Sequence, residues 1–144
     1  MTRRRPWFKD ARMENADSDR PTMPDGVAEQ HGQIALLIRR LGAAHHAHEP
    51  WPALARRLDE LRAIIRVHFA TEEHLMRLSE YPKLEQHMAE HESFRQRLEL
   101  LRGQCEDGKS ELMEVLTDLL ETWFRHHEAT SDQEAAAFIG LAAE

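Results

Sequence analysis

The 144-residue sequence predicts an all-α fold, an antiparallel up-down-up-down four-helix bundle behind a mobile N-terminal arm. Three observations predict it. Apolar residues recur at steps of three and four along four segments, and no useful period-two alternation appears. Helix punctuation (Pro, Gly and capping residues) falls between those segments. The composition, 41% hydrophobic and 31% charged with only six Gly and six Pro, is that of a soluble helical domain. Such a length suits one domain.

Residues 1–24 combine an arginine cluster, acids and three prolines (Pro6, Pro21, Pro24) without apolar periodicity, and read as an arm. Trp7 and Phe8 are its only large apolar side chains besides methionine. The bundle is assigned to residues 25–144. Asp25 is placed to cap a first helix running from about Val27 to about Ala44. Pro52 suits the first turn of the second helix and Pro82 that of the third, because proline lacks only an amide hydrogen that would have no partner there. "SEYP" is then a tight corner. Gly103 and Gly108 mark the end of the third helix, and Ser110 is placed to cap the fourth.

Each helix has an inward seam. On the first it is Val27, His31, Ile34, Ile38 and Leu41; on the second Leu54, Leu58, Leu61, Ile65, His68, Glu72 and Leu75. The third gives Leu84, His87, His91, Phe94, Leu98 and Leu101. On the fourth, Met113, Leu116, Leu120, Trp123 and His127 compete with a register through Leu112, Leu119 and His126, and periodicity leaves both open.

Every seam contains a polar break. A lone inward histidine is ordinarily a core residue satisfied by a neighbouring carbonyl. Several together are another matter, since each unsatisfied buried polar group costs about 1–3 kcal/mol against a total stability of ~5–15 kcal/mol. Shared ligation of metal removes that cost, and bundle cores host such sites. The spacing agrees: His68 with Glu72, and His87 with His91, stand four apart on one helical face. Imidazoles and carboxylates from all four helices are too many for one tetrahedral zinc and suit two adjacent octahedral irons.

In these segments the sequence resembles the hemerythrin family, and within it the single-domain bacterial hemerythrins. The resemblance covers about residues 26 to 140. It is carried by "EQH" ending at His31, "HFATEEHLM" with His68 and Glu72, "YPKLEQHMAEH" with His87 and His91, and "WFRHHEATSD" with His127 and Asp132. It implies two iron ions in a non-haem centre with an oxo or hydroxo bridge. His87, His91 and His127 would hold one iron, His31 and His68 the other, and Glu72 and Asp132 would span both, with dioxygen taken up at the open position. Asp132 comes from the resemblance alone, because a five-residue offset from His127 turns it ~140° around an ideal α-helix. The same pattern favours His127 over His126 and sets Trp123, Phe124 and Glu128 beside the cofactor. Phe124 replaces an expected leucine and Glu128 an expected isoleucine; whether Glu128 turns inward is open.

The net charge of −7 argues against a nucleic-acid surface, and no apolar run reaches the ~20 residues of a membrane span. The arginine cluster has no apolar segment behind it, so the expected location is cytoplasmic. Cys105, the single cysteine, is expected to be inert. His45, His46 and His48 are expected as a solvated loop cluster, and His74 as exposed. Two functions compete: reversible dioxygen binding for storage, delivery or sensing, and a diiron redox enzyme or responder acting on peroxide or nitric oxide. The expected assembly is a monomer or small homo-oligomer, with room for a separate redox or signalling partner.

Overall fold

The structure is a computed structural model that describes residues 25–105 and 110–143. Helices α1 (Asp25–His46), α2 (Trp51–Leu78), α3 (Leu84–Gln104) and α4 (Ser110–His127) form the bundle. A π turn at Glu128–Asp132 carries α4 on into α5 (Gln133–Ala143), so four rods result, with no strand among the described residues. α1 packs on α2 and α4, and α3 on α2 and α4. Neighbours run antiparallel, because His31 near the start of α1 meets His68 near the end of α2, and His87 near the start of α3 meets His127 at the end of α4.

The expected punctuation largely holds. Pro52 lies in the first turn of α2. Pro82 stands in the turn before α3, which starts two residues later with Leu84. α1 and α4 begin at Asp25 and Ser110, whose side chains lie outside the described residues, as do the arm 1–24 with Trp7 and Phe8, and Gly108. Gly103 is still helical, one residue before the end of α3. α1 and α2 end without glycine: His48 (φ 60°) and Glu80 (φ 56°) take the left-handed conformation there. Each end is closed by a 6→1 bond, Glu49 N to Ala44 O at 3.0 Å and Tyr81 N to Met76 O at 2.9 Å.

The interior has three layers. A large apolar cluster spans Ile34–Ala44, Leu54–Phe69, Phe94–Leu98 and Met113–Phe124. A smaller one gathers Val27, Met76, Tyr81, Ala135 and Ala136 at the other end. On every rod the candidate ligands fall between the two, so the polar layer is clamped by apolar packing from both sides. Each fully buried Leu or Phe contributes about 1.5–3 kcal/mol to that clamp.

At the site the open register of α4 is resolved, since His127 is buried and His126 exposed; along the helix Met113, Leu116, Leu120 and Phe124 are buried together with Leu119 of the other register, and Trp123 is half-buried. On α2 the seam drifts by one residue at its end, burying Met76 rather than Leu75. His74 is exposed as expected. The histidine cluster differs from expectation. His45 and His46 belong to the last turn of α1, and His45 is buried with Nε2 3.5 Å from Glu114 Oε2 on α4. α1 continues past Ala44 because His46 Nδ1 reaches Gly42 O at 2.9 Å and supports the last turn. No helix among the described residues is long and apolar enough to cross a membrane.

Candidate metal centre

All seven sequence-predicted ligands converge on the polar layer. Two overlapping groups form, Glu72, His87, His91 and His127 in one and His31, His68, Glu72 and Asp132 in the other, each with its ligand atoms within 4.8 Å of one another. Glu72 is common to both and fully buried. Its Oε1 stands 3.1 Å from His91 Nε2 and 3.7 Å from His87 Nε2, while its Oε2 stands 3.0 Å from His68 Nε2 and 3.5 Å from His31 Nε2. One carboxylate thus turns one oxygen to each set of imidazoles.

Asp132 reaches the layer because of the π turn. A π turn advances fewer degrees per residue than an α turn, so residue i+5 returns to the face of residue i. Asp132 Oδ1 accordingly sits 3.2 Å from both His127 Nε2 and His87 Nε2. The turn is tied from outside by Glu90 on α3, whose Oε1 accepts from Ser131 Oγ at 2.6 Å and faces His127 Nδ1 at 3.2 Å.

The donor set fits metal. Both oxygens of Glu72, both of Asp132 and Nε2 of His91 are buried without a hydrogen bond of proper geometry, although imidazole nitrogens lie 3.0–3.7 Å from the Glu72 oxygens and 3.2 Å from Asp132 Oδ1. Groups that close yet misaligned with one another aim at a shared centre, as ligands do. The 3.1 Å between Nε2 of His87 and Nε2 of His127 matches the edge between ligands set at right angles around an ion with bonds of ~2.1 Å.

Without metal the layer balances its own charge. Burial disfavours the cation at His127, but Asp132, Glu90 and Glu72 outweigh it and raise the group to about 10. For His87 burial is likewise overcome, by Asp132 and Glu72, to about 9. Burial also opposes ionisation of Glu72, yet His68, His31 and His87 hold its carboxyl well below the usual range. Asp132 is held down by His127 and His87 against burial and the Glu72 charge. Burial pushes His31 down to about 4, so it stays neutral. The two carboxylates and the imidazoles of His87 and His127 thus favour one another's charged forms, while the 3.1 Å between the two Nε2 atoms sets the two imidazolium charges against each other.

Four contributors escaped the sequence reading. Gln30, Glu73 and Glu90 hold the Nδ1 atoms of His68, His91 and His127 at 3.0, 2.8 and 3.2 Å, which turns each Nε2 inward. Phe69 lies flat on His91, ring centroids 3.8 Å apart and planes 4° apart. A carboxylate or amide next to a ligand in sequence, as in "EQH" and "EEH", was the available signal, but adjacency on a helix does not say which ring will be met. Trp123 stacks on His127 at 4.3 Å and on Phe94 at 4.3 Å, and Phe124 is fully buried beside Phe69. Glu128 turns inward and is 5% exposed.

The model of the hemerythrin HHE cation binding domain matches residues 22–139. A bacteriohemerythrin of Aquifex aeolicus is 32% identical over 85 residues, 58% of this chain and 65% of that relative. The chain thus spans just under two thirds of the relative's length. No solved structure matches.

Proposed function

This chain belongs to the hemerythrin HHE cation binding domain family, and from that premise we propose that it is a non-haem diiron protein that binds dioxygen reversibly, for storage, delivery or sensing. His87, His91 and His127 would hold one iron, His31 and His68 the other, and Glu72 and Asp132 would span the pair. The observation that carries this reading is the division of Glu72, one oxygen toward each group of imidazoles. Two adjacent ferrous ions supply the electrons that reversible capture of dioxygen requires. The protein's part is to hold Nε2 atoms inward, through Gln30, Glu73 and Glu90, and to exclude water with Phe69, Phe94, Trp123 and Phe124.

The test is the visible spectrum of the reduced, iron-loaded protein under nitrogen, then air, then nitrogen again. A charge-transfer band that rises in air and fades when oxygen is withdrawn is the expected result. A lasting diferric spectrum in air sinks reversible binding.

A second reading, redox chemistry on peroxide or nitric oxide, is favoured by Glu128. Glu128 is a buried carboxylate adjacent to His127 in sequence, a group able to transfer protons. Autoxidation of the starting protein and of Glu128→Ile separates the readings: slower oxidation in the variant supports the redox role, and equal rates remove its basis.

A further inference from the structure

The imidazoles of the site are held from behind by acceptors of two kinds. His91 Nδ1 meets Glu73 Oε2 at 2.8 Å, and His127 Nδ1 meets Glu90 Oε1 at 3.2 Å, so both back onto carboxylates. His68 Nδ1 meets Gln30 Oε1 at 3.0 Å, and an amide carries no charge.

The orientation of that amide follows from its other neighbour. Thr71 Oγ1 spends its own proton on Val67 O at 2.8 Å, which leaves it an acceptor for Gln30 Nε2 at 3.4 Å. Gln30 Oε1 is therefore the atom that faces His68, and His68 must donate from Nδ1. Its Nε2 is then the atom turned to Glu72, 3.0 Å away. Sequence neighbours do not explain the difference in charge, since Glu29 stands beside Gln30 and is exposed.

An Nδ1 proton shared with a carboxylate gives the ring imidazolate character and makes Nε2 a stronger donor; a neutral acceptor does so less. Stronger donation favours the higher oxidation state of a bound metal. We infer that Gln30 is a positioning residue that makes a metal held by His68 harder to oxidise than a carboxylate behind that ring would, while Glu73 and Glu90 make a metal held by His91 and His127 easier to oxidise. The inference rests on the diiron reading above and deepens it. Reversible capture requires that the side meeting the gas return readily to the ferrous state, and a neutral acceptor behind His68 favours that return.

The test uses the full chain and two isosteric variants, Gln30→Glu and Glu73→Gln. Iron per chain, the midpoint potential against one-electron mediators and the rate of oxidation in air are measured for each, together with the His68 Nδ1 proton resonance in zinc-loaded protein. Gln30→Glu should keep its iron, shift the His68 proton downfield, lower the potential and speed oxidation by about tenfold, a change of the order that an altered partner behind a ligand produces in activity. Glu73→Gln should raise the potential. Unchanged potentials and rates at full iron content in both variants overturn the inference. If Gln30→Glu loses iron, Glu73→Gln decides: a raised potential upholds the inference and an unchanged one overturns it. A starting protein that never holds an iron pair sinks the diiron reading itself, and the inference with it.

Discussion

His127 Nε2 and Asp132 Oδ1 stand 3.2 Å apart although they are offset by five positions in the chain, and a π turn accounts for it. Glu90 holds that turn by one oxygen, through Ser131 and His127. Glu90→Leu should therefore lower metal affinity by roughly 10–100-fold while the bundle remains helical, with Glu90→Gln restoring most of it. Metal titration followed alongside circular dichroism checks this; full affinity in Glu90→Leu would show that the turn needs no tie.

Metal should also stabilise the fold. Binding to the native state at one hundred times the dissociation constant adds about 2.7 kcal/mol. For a domain of this length that is a rise of roughly 5–15 °C in Tm. Thermal melts with and without a chelator measure it, and superimposable melts would mean that the polar layer is not a metal site.

Loading should expel protons. In the metal-free protein His87 and His127 are raised from 6.5 to about 9 and about 10, so their stabilising charge is fully present below pH 6.5 and is lost as pH climbs through 9 and 10. A metal needs both Nε2 atoms deprotonated, so affinity should increase from pH 6 toward pH 9. Calorimetry in buffers of different ionisation enthalpy reads the released protons directly. Heats independent of buffer would contradict the charge balance drawn for the layer.

Glu80 carries a left-handed backbone at φ 56° on an exposed corner. Glycine adopts that conformation without strain, so Glu80→Gly should stabilise the protein by about 1 kcal/mol. Urea denaturation of the two proteins is sufficient to decide, and a loss of stability would show that the Glu80 side chain contributes more than its backbone costs.

Cys105 is fully buried at the end of α3, and burial pushes its thiol up. It should resist a thiol-reactive dye in the native state and react in full on unfolding. Rapid labelling of native protein would place the end of α3 in exchange with an open form.

The seams on α1, α2 and α3 were legible because burial repeats with the helical period, and a histidine or glutamate on such a seam is as visible as a leucine. His31, His68, Glu72, His87 and His91 could be picked out in this way. His127 could not be separated from His126 by period alone, since both registers of α4 carry leucines; packing against α1 and α3 buries one and exposes the other. Asp132 needed a family pattern, because the π turn breaks the period on which the rest of the reading depended. His45 was misjudged for a related reason: α1 runs two residues past the expected end and turns His45 toward Glu114 on α4.

By itself the sequence determined the helical class, the number of rods and the polar positions on α1, α2 and α3, since each follows from spacing within one helix. The tertiary structure alone decided which acceptor backs which imidazole. Gln30 and His68 lie on different helices, as do Glu73 and His91, and Glu90 and His127. Such pairs depend on how far neighbouring helices slide and rotate against each other, and that is fixed by the summed packing of the whole core rather than by any local stretch of chain.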